Sequence, residues 1–235
     1  QKDYAKALGY YSQMAEGTHE YTEGALSRMA QVYLERTQWT TVIPLLEKLA
    51  SIAENKENIR FATANLMRAH SALSQTEKAA EYAKIVVTDD TYSTKAQQDA
   101  QLLLARKALA EEDLPTAIKY YTALEKSGVG SLAAESLYVK AMAAHRENNY
   151  KASNILIQKL AKDYPGYKEF AVKGLILMAQ NFYALDDAFQ ATFILENVIT
   201  NFQDFPNETD RAKVLLDEIK QKEALRETQD TNEKN

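Results

Sequence analysis

The stretch NNYKASNILIQKLAKDYPG (148–166) is the longest copy of a pattern that recurs along the chain. Its apolar residues follow helical spacing, and its closing Tyr-Pro-Gly stops a helix. The copies are DYAKAL (3–8), QWTTVIPLL (38–46), QTEKAAEYA (75–83), DLPTAIKYY (113–121), NYKASNILI (149–157) and DAFQATFIL (187–195). Their second residues, here called anchors, are Tyr4, Trp39, Thr76, Leu114, Tyr150 and Ala188, at steps of 35 to 38 residues. A period of that length indicates a helical repeat.

Two columns of mostly small residues run through the copies. Three residues after the anchors come Ala7, Val42, Ala79, Ala117, Ser153 and Ala191. Nine residues before the anchors of the complete repeats come Ala30, Met67, Ala105, Ala141 and Ala179. Apolar residues around this second column recur at i, i+3, i+4 and i+7. Because small side chains let helices approach closely, each unit is predicted to be a pair of amphipathic helices, A then B, that cross at these columns.

The same register predicts helix boundaries. A helices are expected near 20–36, 57–74, 94–112, 131–147 and 167–185, and B helices at 3–16, 40–54, 76–88, 113–127, 149–163 and 187–201. Asp113 is expected to cap the helix that holds Pro115, and Thr40 or Thr41 the helix that holds Pro44.

The two ends of the chain differ from its middle. A segment from 207 carries Ala212, Leu215, Leu216 and Ile219 on one face and is predicted to be a terminal capping helix. Residues 1–225 are therefore expected to form a single helical repeat domain of about five and a half repeats plus this cap. The domain opens on a B helix without its A partner, so we expect further repeats upstream. Residues 226–235, RETQDTNEKN, contain no apolar side chain and are predicted to be a disordered tail.

Composition excludes several classes of protein. A chain of 235 residues with 46% hydrophobic and 26% charged residues can bury a core, and its 7 Gly and 4 Pro are too few for a sandwich or barrel, which favours an all-α fold. The net charge of −5 argues against general nucleic-acid binding. With no cysteine there is no disulfide and no thiolate metal site. No apolar run reaches the roughly 20 residues of a membrane span, so this segment is not expected to insert.

The repeat resembles the tetratricopeptide repeat family. The best match is Leu175, Met178, Ala179, Phe182, Asp187, Ala191, Leu195 and Val198, followed by Leu137, Ala141, Asn149, Tyr150, Ser153, Ile157 and Pro165. The glycine that the family places in the turn between A and B helices is missing throughout. The resemblance implies a right-handed α-solenoid of antiparallel helix pairs. The Tyr-Pro at 164 and the Phe-Pro at 205 are similar to the bacterial envelope branch of the family, which favours a periplasmic or cell-envelope location.

Residues for catalysis or metal binding are not apparent. His19, His70 and His145 are the three histidines, and no HExxH or comparable ligand spacing accompanies them. GVGS (128–131) precedes a helix but lacks the lysine and the strand of a phosphate-binding loop, so a plain turn is expected. The sequence predicts no cofactor, no metal site and no enzyme activity.

The family resemblance also implies a binding surface. In that family the inner surface is lined by A helices, at the position after each small residue and at positions one turn away. The residues so placed here are Gln31, Arg68, Leu102, Arg106, Tyr138, Met142, His145, Arg146, Ile176, Gln180 and Tyr183. We predict Arg68 and Arg106 as charge partners of a ligand, and Tyr138, Met142 and Tyr183 as apolar anchors. The alternative is that both arginines are ordinary solvated residues.

Three functions are compatible with the sequence. The first is a non-catalytic scaffold that binds a protein or peptide in the groove, for which the family is the warrant. The second is a regulatory module that senses a peptide, and the third is an accessory domain of an envelope-processing enzyme complex. The family's Lys and Asn clamp for a carboxylate has no residue-by-residue match, so the sequence does not predict binding of a chaperone C-terminus.

Overall fold

A computed structural model describes residues 4–17, 19–126 and 129–233, and in these ranges the regular structure is helical, without a strand. The helices are α1 (Tyr4–Met14), α2 (Thr22–Glu35), α3 (Trp39–Ile52), α4 (Lys56–Ala72), α5 (Thr76–Thr88), α6 (Thr94–Ala110), α7 (Leu114–Glu125), α8 (Gly130–Arg146), α9 (Tyr150–Asp163), α10 (Lys168–Ala184), α11 (Ala188–Asn201) and α12 (Pro206–Glu233). The predicted boundaries of α1 to α11 are confirmed to within about two residues, the usual uncertainty of helix ends.

The chain divides into two compact units, Gln1–Tyr120 and Tyr121–Asn235, with the division inside α7. In the first unit α1 to α5 each pack against the next helix, and the even-numbered helices α2, α4 and α6 also touch in sequence. In the second unit α8 to α12 repeat this arrangement, with α10 touching both α8 and α12. Short turns between packed neighbours make each pair antiparallel. Each unit is thus a stack of helix pairs, which confirms the predicted all-α repeat.

The predicted columns of small residues are the helix crossings. From Ala30 to Ala179 every member of the A-helix column is at most 1% exposed, and so is every B-helix member from Val42 to Ala191. Burial of the column is what fixes the register of each pair, because a larger side chain there would push the helices apart.

A third column of small residues was missed in the sequence. Its members, all buried and spaced by the same period, are Ala25, Ala62, Ala100, Ser136, Gly174 and Ala212. At Gly174 the approach is closest, since a Cβ added there would lie 3.1 Å from Cγ2 of Ile157 on α9. The period itself could have revealed this column, because it falls five residues before the A-helix column.

Each turn from an A helix to a B helix has one residue in the left-handed region. These residues are Thr37, Ser74, Glu112, Asn148 and Asp186, with φ between 53° and 61°. The amide of the following residue donates to a carbonyl five residues back, as from Gln38 to Tyr33 at 3.0 Å, which closes the helix C-terminus. The conformation that glycine favours is therefore kept although the glycine is absent. Non-glycine residues carry its steric cost.

Thr37→Gly should accordingly raise the free energy of unfolding by about 0.5–1 kcal/mol. The β-branched threonine is the least suited of the five residues to positive φ, and glycine removes its Cβ clash. Urea denaturation followed by circular dichroism measures the change. Gln38→Gly, at a residue with φ of −85°, is the matched control and should give no gain. Equal effects of the two substitutions would show that the turn is not strained.

One predicted cap is confirmed and another is wrong. Asp113 Oδ1 accepts the amide of Thr116 at 3.1 Å, and hydrogen bonds from Thr116 hold the pKa of that carboxyl below its usual range. Thr40 and Thr41 do not cap α3, because the helix already begins at Trp39 and Pro44 lies inside it. The chain enters α3 early because the left-handed residue Thr37 reverses it directly after α2.

The ends follow the prediction in part. α1 has no buried residue, as expected for a B helix that packs on α2 alone among the described elements. α12 buries Ala212, Leu216 and Ile219, as a capping helix should. It continues to Glu233, however, through most of the segment predicted to be disordered. Intrahelical hydrogen bonds such as Thr228 Oγ1 to the carbonyl of Ala224, at 2.8 Å, accompany this extension. Residues 234–235 lie outside the described residues.

Candidate functional site

The first unit contains a cavity of about 870 Å³ along α4 and α6. It brings together three of the predicted groove residues, Arg68 on α4 with Leu102 and Arg106 on α6. This cavity is called the Arg68 cavity. Its full lining is Trp39, Met67, Arg68, Ser71, Ala72, Thr76, Lys95, Asp99, Leu102, Leu103, Arg106, Lys107 and Ala110. Equivalent positions of successive A helices face the same way, which is why residues 34 to 38 positions apart meet here.

The floor of this cavity is apolar. Leu102 and Leu103 come from α6, and Trp39 reaches it from the first turn of α3. All three side chains are half-buried, so they present apolar surface that water covers in the free chain. Trp39 was recognised in the sequence only as a repeat anchor. Its place in the cavity could not be read from one repeat, because it lies on a B helix.

Arg68 is already paired within the cavity. Its Nε and Nη2 donate to Oδ2 of Asp99 on α6 at 3.0 and 2.9 Å. Lys95, one turn earlier on α6, contacts the other carboxylate oxygen at 3.2 Å. About a third of each of the Arg68 and Asp99 side chains remains exposed. This partner was not predictable from the repeat pattern, because Asp99 lies 31 residues from Arg68.

Lys107 forms a second group of charges at the cavity. Its Nζ contacts Glu111 one turn later and Glu77 on α5, the latter at 3.1 Å. The hydrogen bonds to Glu111 and then Glu77 raise the pKa of Lys107 above its ordinary value. Arg106 is exposed at the same cavity. The cavity therefore joins an apolar floor to a rim whose cations are largely matched by carboxylates.

Two smaller cavities lie nearby in the first unit. One of about 260 Å³ shares Arg68 and continues toward Phe61 and Tyr92, at the other end of α4 and α6. The other, of about 310 Å³, lies between α1 and α2 and contains Gln31. Gln31 is thus separate from the Arg68 cavity, although the sequence placed it in the same groove. Gln31 lies on α2, one A helix before α4, which carries Arg68.

In the second unit Tyr138 and Met142 lie on α8 as predicted, but both are partly buried. Tyr138 packs beside Phe170 with ring centroids 6.2 Å apart. Met142 packs on the cluster of Ala141, Ile157 and Leu177. They contribute to the core as well as to the surface, which leaves each less area for a ligand than the sequence suggested.

His145 belongs to a buried polar network that links α8, α9 and α10. Asn181, fully buried, donates its amide hydrogens to Ser153 Oγ at 2.8 Å and to Asn154 Oδ1 at 2.7 Å. Its Oδ1 lies 2.6 Å from Nδ1 of His145, so this nitrogen carries the proton. Ser153 in turn donates to the carbonyl of Ala141 at 2.8 Å. His145 thus joins three helices, a structural role that its predicted groove position did not reveal.

Two other predicted groove residues have core or packing roles. Ile176 is 1% exposed within the core between α10, α11 and α12, so its placement in the groove was wrong. Tyr183 packs on the same core, and its hydroxyl donates to Glu223 of α12 at 3.2 Å. Burial, and then this hydrogen bond, raises the pKa of Tyr183. The sequence could not show this because α12 supplies the cover. Arg146 is exposed and Gln180 half-buried.

Potential metal ligands do not cluster in the part of the chain that the structure describes, where no group of three or more His, Asp or Glu side chains could hold an ion. Nor does any helix in the described ranges have the length and apolarity needed to cross a membrane.

Known proteins resemble the chain in structure but not in sequence. No protein-family profile and no curated protein sequence matches the chain. The crystal structure of the P58(IPK) TPR domain is 12% identical, with a TM-score of 0.39, over 92% of this chain and 62% of that one. The chain thus spans less than two thirds of that relative's length. The helix pairs and their recurring left-handed turn, rather than this distant likeness, define the architecture. It is an all-helical repeat of antiparallel helix pairs.

Proposed function

We propose that the chain is a non-catalytic scaffold, and that the Arg68 cavity binds a protein segment carrying apolar side chains next to carboxylates. The observation that carries the proposal is the combination of an apolar floor with a rim of arginine and lysine side chains and their carboxylate partners, in one cavity of about 870 Å³. Pockets of several hundred cubic ångströms with few placed polar groups are the usual form of a binding site. Tetratricopeptide-like repeats act in general by binding proteins or peptides.

The apolar floor supplies most of the affinity in this proposal. Burying apolar surface contributes about 25 cal/mol per Å², and the half-buried Trp39, Leu102 and Leu103 each have surface to lose. The charges contribute less, because partly exposed ion pairs are worth about 0–1 kcal/mol. They orient the ligand rather than hold it.

A ligand carboxylate meets Arg68 only by displacing Asp99. The guanidinium directs two nitrogens at the Asp99 carboxylate, so both acids compete for the same fork of donors. Asp99 thereby lowers the affinity for acidic segments.

Peptide selection tests the proposal. A displayed library of random peptides, selected on the full chain, yields probes whose binding is followed by the fluorescence of Trp39, the one tryptophan of the sequence. We expect acidic and apolar residues to be enriched. Leu102→Asp should raise the dissociation constant at least about tenfold, and Arg106→Glu, at an exposed charge, about two- to fivefold. Asp99→Asn should lower it about two- to fivefold, because Arg68 then has no internal competitor.

Matched controls come from the outer helix α5. Lys84→Glu and Ile85→Asp make the same changes at exposed positions away from the cavity and should leave the dissociation constant within about twofold. Selected peptides that bind the Leu102 and Arg106 variants as tightly as the unmodified chain would contradict the proposal.

We further propose an envelope setting on the likeness of the two aromatic-proline dipeptides to the envelope branch. Each also has a part in a turn, since Pro165 follows the last turn of α9 and Pro206 begins α12. Fractionation of cells that express the full-length protein tests the location, and recovery of the protein in the cytoplasmic fraction alone would contradict it.

A further inference from the structure

The outer side of α11 carries an exposed aromatic pair. Phe189 and Phe193 are 76% and 55% exposed, although both are large apolar side chains. They lie four residues apart and so share one face of the helix, about 6 Å apart along its axis. Ile155, 65% exposed, occupies the position on α9 that Phe193 occupies on α11. An exposed aromatic pair on one face of a helix is a candidate interaction surface.

Carboxylates flank the aromatic pair along the chain. Asp186 and Asp187 precede α11, and Glu196 follows Phe193 by one turn. Asp186 is 3.8 Å from Arg226, and Glu196 is 2.9 Å from Lys220, with more than half of every one of these side chains exposed. Such exposed pairs exchange partners at little cost. We call this surface, made by Phe189, Phe193 and Glu196, the α11 face.

We propose that the occupant of the Arg68 cavity includes the α11 face of a second copy of this chain. The inference rests on the proposed function of the cavity and names a partner for it. The α11 face offers two apolar side chains beside a carboxylate. The cavity offers an apolar floor of Trp39, Leu102 and Leu103 beside Arg68 and Arg106.

The two surfaces are complementary in apolar character and in charge. Phe189 and Phe193 would cover the apolar floor, and the surface that each can bury there is the 76% and 55% of its side chain that is exposed, out of the roughly 150–250 Å² of a whole aromatic side chain. Glu196 would approach the rim at Arg68, where it competes with Asp99 for the guanidinium. Opposite charges at the edge of an apolar contact fix its register.

The contact is heterologous, since one copy contributes its cavity and the next its α11 face. Such contacts add copies head to tail unless the rotation closes a ring. The surface involved is well below the roughly 1,600 Å² of a standard stable interface. We therefore expect weak, reversible association that increases with concentration.

Sedimentation velocity on the full chain, from low to high micromolar concentration, tests the proposal. Unmodified protein should show a concentration-dependent rise in average mass. Phe189→Ser/Phe193→Ser and Leu102→Asp/Arg106→Glu should each weaken the association at least about tenfold. Val214→Ser, at a 59% exposed apolar residue on α12, is the control and should associate like the unmodified chain.

Mixing the two double variants gives the decisive measurement. Each retains one of the two surfaces, so the mixture should form a dimer of one copy of each kind that does not grow further. Formation of that dimer also shows that both variants are folded. A symmetric contact between aromatic pairs would not be restored by mixing, and absence of the mixed dimer overturns the proposal. So does a monomeric unmodified chain at every concentration.

The test of self-association can fail without the test of the proposed function failing, and the reverse. A monomeric chain whose cavity still binds selected peptides would overturn self-association and leave the scaffold role supported. A chain that associates but loses nothing in the Leu102→Asp/Arg106→Glu variant would overturn the inference, because the cavity would not be the receiving surface.

Discussion

Asn181→Leu should lower the free energy of unfolding by about 2–4 kcal/mol. The leucine has a similar volume, but it cannot donate to Ser153 and Asn154 or accept from His145. The Asn154 oxygen would then lose its donor in a buried site, and an unsatisfied buried polar group costs its desolvation energy. Urea denaturation followed by circular dichroism measures the loss.

A control and a rescue sharpen this prediction. Asn197→Leu, at a half-buried position of α11 whose side-chain hydrogen bonds reach Phe193 and Asn201 of the same helix, should change stability by no more than about 0.5 kcal/mol. Adding Ser153→Ala and Asn154→Leu to Asn181→Leu should recover part of the loss, because removing both partners of a buried hydrogen bond costs less than removing one. If the triple variant loses as much free energy of unfolding as the three single variants added together, or more, the network does not act as a unit.

Ala179→Leu should lower the free energy of unfolding by about 1–3 kcal/mol. Ala179 is fully buried where α10 crosses α11, in the same core as Ala191 and Leu195. Three additional carbon atoms have no room there, so the helices must separate or the side chain must leave its preferred rotamer. The midpoint of urea denaturation should fall with the slope unchanged.

Ala184→Leu makes the same change on the same helix at an exposed position and should be close to neutral. Equal midpoints for the two variants would show that the column of small residues is not the crossing point of the helices. Ala141→Leu, at the equivalent crossing of α8 and α9, is expected to behave as Ala179→Leu does.

The fold follows from local features of the sequence. Apolar residues at i, i+3, i+4 and i+7 specify where a helix forms and which face it buries, and both are properties of neighbouring residues. A small residue such as Ala141 or Ala179 at a fixed period then specifies where the pair crosses. The helix boundaries and the burial of both columns were therefore predictable. The start of α3 at Trp39, which made the predicted Thr40 or Thr41 cap wrong, was not predictable, because the left-handed conformation of Thr37 leaves no signature without glycine.

The candidate site was predictable only in part, because its properties depend on contacts between helices. The repeat register placed Arg68, Leu102 and Arg106 on one surface, and the structure brings them to one cavity. The repeat register could not reveal that Asp99 pairs with Arg68, since their contact joins separate repeats across 31 residues.

The sequence by itself determined the helix pairs, their period and the face that each helix buries. The tertiary structure decided which of the outward positions are available to a ligand. Ile176 and Tyr183 occupy A-helix positions equivalent to those of the cavity, but α12 packs beside them, burying the first and engaging the hydroxyl of the second. The physical reason is that helix formation depends on residues three or four positions apart, whereas exposure depends on every element that packs nearby.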